Sequence, residues 1–253
     1  GFGRRLHNDY VSQAVQIAKQ MNGTPVKLIW SREESTRRSY YPPVMAAKFK
    51  GGLDKAGQIK SWESHVCQGT SVYQPYGMSR MVHSVPHTKI AYSTITTPPP
   101  FAWMRGVGHT QSLWMYHGFI CELAAAAGTD SLTFQRELLD VARITEGPAY
   151  NSFHGLESSY EDTVARVKRF KHRLDEVARL SDADFTPKQG TGRGFAVYDM
   201  SYAPGLASST IAVAMEVSID SQGKLRVERG IASVDCGLAI NPELVEDQVA
   251  GGM

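Results

Sequence analysis

The chain has 253 residues, of which 42% are hydrophobic and 21% are charged, proportions typical of a folded globular protein. This composition excludes a disordered chain, a collagen-like repeat and a coiled coil, and no run approaches the roughly 18 to 20 apolar residues of a membrane-spanning helix. The 27 Lys and Arg nearly balance the 25 Asp and Glu, which argues against nucleic acid as a partner, and Cys67, Cys121 and Cys236 lie too far apart for a clustered zinc or iron–sulfur site.

Helical and strand periodicities alternate in the first third of the chain. Apolar residues three and four positions apart predict a helix from Tyr10 to Met21, and the pair Asn22-Gly23 is typical of a helix end. A buried strand is expected over 25–30, and a β-hairpin follows with 45–52 and 59–67 as its arms. The order of glycine turn, helix and strand at the start of the chain indicates an α/β arrangement.

The middle of the chain is predicted to be helical after a long irregular region. Long loops with short strands are expected over 68–100, where Pro, Tyr, Ser and Thr are common. Helical spacing then runs from Leu113 to Ala127, and Gly128 is a typical C-terminal stop. Either Asp130 or Ser131 can cap the helix that follows.

The longest predicted helix begins near residue 160. Ser158 with Glu161, or Ser159 with Asp162, has the spacing of a capping box. The basic run 168–173 on this helix could suggest contact with nucleic acid. A solvated helix face interrupted by one core phenylalanine is the interpretation we prefer.

Alternation with period two begins after Gly190 and predicts strands. These are 195–202 and the hairpin arms 211–220 and 225–235, and a last helix starts at Asn241. Long helices mixed with hairpins indicate an α+β fold of mixed sheets with packed helices.

The predicted elements divide into two regions. Residues 1–180 carry the glycine loops and the long helices, and residues 190–253 carry a β-hairpin and the last helix. The chain opens in a glycine turn instead of a methionine and stops directly after a predicted helix. We therefore expect an internal piece of a longer polypeptide, incomplete at both ends; a natural short form is the alternative.

Several familiar motifs are excluded or weak. The glycine-rich run 190–194 superficially matches a dinucleotide fingerprint, but a strand follows it where that motif needs a helix. His83 and His87 have the spacing of two metal ligands on a helix, and Pro86 between them argues against that helix. The sequence contains neither a nucleophile elbow nor a P-loop, so hydrolase and nucleotide-hydrolysing functions lack their signatures.

Two glycine loops, 1–4 and 105–108, each precede a predicted helix and each contain an arginine. Glycine lets a ligand approach the backbone closely, a helix start offers N–H groups, and arginine adds a bidentate cation. Such loops suit a large anionic or oxygen-rich ligand. The alternative is that the glycines supply turn geometry alone.

Together with their surroundings, these loops resemble the molybdopterin-binding subunit of the xanthine dehydrogenase and aldehyde oxidase family, and most closely the isoquinoline 1-oxidoreductase beta-subunit type. Four segments in order carry the resemblance. They are GFGRR with PVKLIWSREES, MRGVGHTQ with FICELAAAAGTDSLTFQRELL, AVAMEVSIDSQGKLRVERGIASVDCG, and NPELVEDQVAGG. The likeness covers essentially the whole chain.

The resemblance implies a molybdenum–pterin cofactor, either molybdopterin or molybdopterin cytosine dinucleotide. It implies that Phe2 and Gly3 approach the oxygen ligands of the metal, that Arg105 lines the substrate and pterin side, and that Gln248 bonds to the polar periphery. No protein residue ligates the metal, because the pterin dithiolene holds it. The expected cofactor-binding residues are Gly1, Phe2, Gly3, Arg4, Met104, Arg105, Gly106 and Gln248.

The resemblance also implies a reaction, the hydroxylation of a carbon atom in an N-heterocycle or an aldehyde with water as the oxygen donor. Electrons would leave through a separate [2Fe-2S] small subunit. The family's glutamate base is expected beyond residue 253, so we name no catalytic residue here and expect this chain alone to be inactive. Glu122, Glu216 and Glu243 fall within helix or hairpin patterns and are interpreted as structural.

Arg4-Arg5 stands where xanthine dehydrogenases carry glycine and lysine, which favours the isoquinoline type and puts purine substrates in doubt. Two other functions stay open at this point. One is a non-catalytic scaffold of the same fold, and the other is an anion-binding module that uses both glycine loops.

Overall fold

The computed structural model describes residues 6–69, 82, 84–98, 100–102, 106, 108–144, 159–182, 188–201 and 208–253. The helices in this part of the chain are α1 (Asp9–Lys19), α2 (Arg32–Arg38), α3 (His109–Ala127), α4 (Ser131–Leu138), α5 (Tyr160–Asp182) and α6 (Pro242–Ala250). The strands are β1 (Met45–Leu53), β2 (Ile59–Gln68), β3 (His87–Thr94), β4 (Thr191–Ser201), β5 (Ser208–Ile219) and β6 (Leu225–Asp235). The predicted α+β class is confirmed.

The contacts within the chain group into two compact units. The first comprises 1–48, 65–75 and 91–111, and the second comprises 49–64, 76–90 and 112–253. The strands form two sheets of three, in the orders β1-β2-β3 and β4-β5-β6. The predicted division of the chain near residues 181–190 stays a prediction.

The helix expected near the start of the chain forms as α1, but the strand expected over 25–30 does not. Alternate residues of this segment, Val26, Leu28 and Trp30, line a cavity of about 420 Å³ together with α1. Ile29 on the opposite side is 72% exposed. Side chains therefore alternate along this segment as they would in a strand, but the segment is not buried on both sides and no strand among the described residues pairs with it.

The predicted hairpin forms from β1 and β2, and its turn is built around Asp54. Oδ1 of Asp54 accepts hydrogen bonds from the backbone N–H groups of Ala56 (2.9 Å) and Gln58 (3.0 Å). Gly57 in the same turn has φ +79°, a conformation that glycine adopts at little cost.

Aromatic side chains join this hairpin to α3. The ring centroid of Trp62 lies 4.9 Å from that of Tyr116, and both side chains are fully buried. Phe49 stacks on Phe119 at 5.0 Å. Burial of such large rings stabilises the unit by roughly 1.5–3 kcal/mol each, and it fixes which side of α3 faces the strands.

The helix boundaries follow local capping chemistry. α3 ends before Gly128, which has φ +72° as expected for a C-terminal stop. Asp130 caps α4 by accepting from the N–H of Thr133 at 2.9 Å, which confirms one of the two predicted caps. At α5, Ser159 and Asp162 bond reciprocally as a capping box. The helix predicted directly after the glycine loop 105–108 forms as α3, which begins at His109.

The longest helix, α5, packs on the antiparallel sheet of β4, β5 and β6. Phe170, Leu174 and Val177 are its fully buried inner residues. The basic run on α5 is less solvated than predicted: Arg173 Nη1 pairs with Glu176 Oε2 at 2.7 Å, and other cations of the run also form ion pairs. Charge in this run is therefore neutralised within the protein, which agrees with a structural role.

The last predicted helix forms as α6, capped by Asn241, whose Oδ1 accepts from the N–H of Leu244 at 3.1 Å. His87 lies at the start of β3 and not on a helix, which agrees with the argument from Pro86, and His83 lies outside the described residues. None of the described helices combines the length and the apolar character that crossing a membrane requires.

Candidate functional site

Of the eight expected cofactor-binding residues, the structure describes two, Gly106 and Gln248. Gly106 belongs to the first compact unit and Gln248 to the second. The other six lie outside the described residues: Gly1, Phe2, Gly3, Arg4, Met104 and Arg105.

Gly106 occupies a backbone conformation that requires glycine. Its φ is +84°, and Gly108 two residues later has φ +69°. Such values disfavour residues with a Cβ atom by roughly 1–2 kcal/mol. A Cβ atom added at Gly106 would also collide with Oγ1 of Thr110. Both glycines therefore shape the loop, as the sequence pattern indicated.

The carbonyl oxygen of Gly106 anchors the loop to α3. It accepts hydrogen bonds from the N–H of His109 (2.7 Å), from the N–H of Thr110 (3.1 Å) and from Oγ1 of Thr110 (3.3 Å). The loop therefore leads directly into the N-terminal end of a 19-residue helix, where the aligned peptide dipoles favour negative charge. This end of α3 suits an anionic or oxygen-rich group.

Gln248 lies near the end of α6 and is exposed. The helix that presents it is started by Asn241 and Pro242, a residue pair well suited to a helix N-terminus. At the end of the helix, the N–H group of Gly251 donates to the carbonyl oxygen of Asp247, and the N–H group of Gly252 donates to that of Val249. The side-chain amide of Gln248 can both donate and accept hydrogen bonds.

The three glutamates interpreted as structural lie at different kinds of position. Glu122 on α3 and Glu243 in the first turn of α6 are exposed. Glu216 is half-buried on β5, where Arg193 and Arg229 are its cross-strand neighbours.

Sequence reasoning missed a buried ion cluster between α5 and β4. Oδ2 of Asp199 lies 3.6 Å from Nε of Arg166 and 3.8 Å from Nη2 of Arg169. Asp199 is fully buried and the side chain of Arg166 is 6% exposed. The alternation along β4 carried a signal for this position, because Phe195, Val197 and Asp199 share one inward face.

A second missed feature is His117, which points from α3 toward the backbone of Val197 on β4. Both of its ring nitrogens are buried, and neither makes a hydrogen bond of ordinary geometry. Burial lowers the pKa of His117 to about 4, and the nearby backbone of Val197 acts in the opposite direction. This histidine is therefore neutral at pH 7. No group of three or more potential metal ligands occurs among the residues that the structure describes.

Two models of the molybdopterin cofactor-binding domain match the chain, one over residues 1–139 and the other over residues 99–253. The beta chain of the isoquinoline 1-oxidoreductase of Brevundimonas diminuta is 25% identical, and the match covers 100% of this chain and 31% of that relative. A nicotinate dehydrogenase subunit of Pseudomonas putida is 22% identical, with 100% of this chain and 22% of that relative covered. The chain thus spans less than a third of the length of either relative.

The quinoline 2-oxidoreductase of Pseudomonas putida 86 has a similar fold. Its TM-score is 0.51 at 17% identity, and the match covers 90% of this chain and 31% of that one. The two family models confirm the resemblance stated from the four sequence segments, and with it a molybdopterin-type cofactor for the family. The chain belongs to the family of molybdopterin cofactor-binding domains found in molybdenum hydroxylases.

Proposed function

We propose that this chain is part of the large subunit of a molybdenum hydroxylase, which hydroxylates an N-heterocycle or an aldehyde with water as the oxygen donor. The observation that carries the proposal is the glycine loop that Gly106 anchors to α3 within a chain of this family. The isoquinoline, nicotinate and quinoline enzymes named above support an N-heterocycle as the first substrate class to test.

The described residues fit such a cofactor. Molybdopterin carries a phosphate group and a ring system rich in nitrogen and oxygen. The backbone at Gly106 has no Cβ atom, and the end of α3 that it adjoins favours negative charge. The exposed side-chain amide of Gln248 can donate hydrogen bonds to polar atoms of the cofactor and accept hydrogen bonds from them. When bound, the cofactor supplies the oxidative chemistry, as is general for cofactor enzymes.

The residues of this chain would bind and orient that group. The loops 1–4 and 104–106 contribute backbone contacts and the guanidinium groups of Arg4 and Arg105, which can form bidentate hydrogen bonds to oxygen atoms. Gln248 bonds to the periphery of the cofactor. We assign no catalytic base among residues 1–253.

A separate [2Fe-2S] subunit is the partner that we propose for electron removal. The two curated relatives are named as subunits, which supports a division of labour between polypeptides. The three cysteines of this chain are free and far apart in sequence, so they do not suggest a cluster within it.

The test uses the longest natural polypeptide that contains this sequence, purified together with its iron–sulfur partner. We expect about one molybdenum atom per chain by elemental analysis, and dye reduction with at least one of isoquinoline, quinoline and benzaldehyde. Molybdenum without turnover of any such substrate would favour a non-catalytic scaffold. Binding of phosphate or a nucleotide by protein free of molybdenum would favour the anion-binding module.

A further inference from the structure

The segment 25–30 runs back along α1 as an extended chain. Asn22 and Gly23, with φ values of +48° and +85°, reverse the direction of the chain after the helix. Nε1 of Trp30 donates a hydrogen bond to Oε1 of Gln13 on α1 at 2.9 Å, and all of these residues belong to the first compact unit. This bond holds the segment beside the helix, so the two walls of the cavity that they line are fixed relative to each other.

The backbone of this segment lacks a neighbouring strand. Within the ranges that the structure describes, the N–H and C=O groups of Val26, Lys27, Leu28 and Ile29 form no backbone hydrogen bond. The unpaired N–H and C=O groups of an extended chain form a template on which another strand can add. The segment therefore presents both the hydrogen-bonding edge and the alternating side chains of a strand.

The apolar surface beside this edge is also uncovered. None of the 11 residues of α1 is buried, and the side chains of Val11 and Val15, which line the cavity, are half-exposed. Isolated helices shorter than about 12–15 residues are marginal in water, and helices in proteins gain most of their stability from packing of an apolar face. A strand added beside the segment would lie under α1 and supply that packing.

We infer that a β-strand from the part of the natural polypeptide outside residues 1–253 pairs with the segment 25–30 and covers the apolar side of α1. This inference rests on the proposed function, which makes the chain part of a larger subunit. The chain spans less than a third of either curated relative, so proteins of this kind contain enough additional polypeptide to supply the strand.

The segment itself favours a strand over a helix as the occupant. Val26 and Leu28 face the cavity, and Ile29 is exposed on the opposite side. Apolar residues on both faces are typical of a strand that lies inside a sheet covered by helices. A docked helix would cover these side chains but would leave the peptide groups of the segment unpaired.

The first measurement is amide hydrogen exchange in the longest natural polypeptide that contains this sequence. We expect at least every second amide over 26–29 to exchange about a hundredfold or more slower than an unpaired amide, because alternate N–H groups of a strand bond to one neighbour. A synthetic peptide of residues 24–31 gives the unpaired reference. The amides of β5, which pairs on both sides with β4 and β6, give the protected reference.

The second measurement compares two cysteine variants of α1 in the same polypeptide. Val15 lines the cavity, whereas its neighbour Gln16 is exposed and does not line it. A maleimide should label Gln16→Cys about tenfold or more faster than Val15→Cys in the folded protein, and both at similar rates in urea. Because the chain has three native cysteines, the labelled peptide is identified by mass spectrometry.

Three results would overturn the inference. The amides over 26–29 exchange as in the synthetic peptide, the two cysteine variants are labelled at equal rates in the folded protein, or the protection disappears on dilution as a dimer dissociates. The last of these would assign the edge to a second copy of the chain. Failure of the proposed function gives a different result: a polypeptide that protects the segment but binds no molybdenum would support the strand pairing and contradict the hydroxylase.

Discussion

At the scale of single residues, Gly106 and Thr110 restrict each other. The positive φ of Gly106 and the nearby hydroxyl group of Thr110 both exclude a side chain at position 106. Sequence analysis found the glycine and the helix after it, but it did not single out Thr110 as the partner of Gly106. The pattern of residue types does not show which side chain of the first helical turn contacts the glycine.

Gly106→Ala should therefore destabilise the protein by about 1–2 kcal/mol, the cost of forcing alanine into a left-handed backbone conformation. The measurement is urea unfolding of the purified protein. Gly118→Ala on α3 is the control, because a Cβ atom there meets nothing within 4 Å. That change should stabilise by up to about 1 kcal/mol, since alanine favours helix. Equal effects of the two substitutions would contradict the role of Gly106.

Arg105→Ala should reduce turnover of the complete enzyme much more than it reduces stability. The expected loss reflects charge-assisted hydrogen bonds worth roughly 1.5–3 kcal/mol each, so kcat/KM should fall at least tenfold while the melting temperature changes little. Arg38→Ala is the control, since its ion pair with Glu34 is exposed at the surface. A large drop in melting temperature with normal turnover would show that Arg105 is structural.

His117 should make the protein sensitive to acid. Its pKa is about 4 in the folded state and about 6.5 when exposed, so below pH 6.5 the unfolded chain takes up a proton that the folded protein does not. Stability is therefore lost as the pH falls from 6.5 toward 4, by about 2 kcal/mol at pH 5. Above pH 6.5 this histidine has no such effect.

The check is the difference in unfolding free energy between pH 7 and pH 5. In His117→Leu this difference should shrink by about 2 kcal/mol relative to the wild type. His87→Gln on β3 is the control, because His87 is exposed, and its pH dependence should match the wild type. An unchanged difference in the leucine variant would mean that His117 protonates without disturbing the fold.

At the scale of secondary-structure elements, an ion cluster joins α5 to β4. Asp199 is fully buried beside Arg166, so truncation of the acid leaves a buried cation without its counter-charge. Breaking a buried pair in this way typically costs about 3–5 kcal/mol. The ion pair of Arg136 with Asp175 is short at 2.7 Å, but its two side chains are about 40% exposed, which limits its contribution.

Asp199→Ala should thus destabilise the protein by about 3 kcal/mol or more, and Asp175→Ala by less than about 1 kcal/mol. Urea unfolding measures both. The double substitution Arg166→Met with Asp199→Leu should recover most of the loss, because it removes both charges together. Similar losses for the two single alanine variants would show that burial does not govern these pairs.

The elements that the sequence predicted well are those whose signal is local. Helix α5 and the β5–β6 hairpin follow from periodicity, caps and turn residues that lie within a few positions of each other. The segment 25–30 has the same alternation as a strand, yet a strand also needs a neighbour that no local pattern specifies. Asp199 shows the same limit, since alternation along β4 turns it inward but does not identify Arg166 as its partner.

At the scale of the whole molecule, the chain divides into two units with different make-up. The first unit contains α1, α2 and the Gly106 loop, and many of its apolar residues, such as Val15 and Ile29, are exposed. The second unit contains the α5 helix with its sheet and most of the buried core. Substitutions in the second unit should therefore have the larger effects on stability.

The order of elements in the second unit has a consequence for how the protein folds. Helix α5 and strands β4, β5 and β6 follow one another directly, and each strand pairs with the next one in the sequence. Contacts between sequence neighbours need little loop closure and form early. Ala214 on β5 is buried at the centre of this sheet, so Ala214→Gly should slow refolding about threefold in stopped-flow experiments. Ile120→Val on α3 should instead act mainly by accelerating unfolding. The opposite result, in which Ile120→Val slows refolding and Ala214→Gly accelerates unfolding, would mean that the core around α3 nucleates the fold.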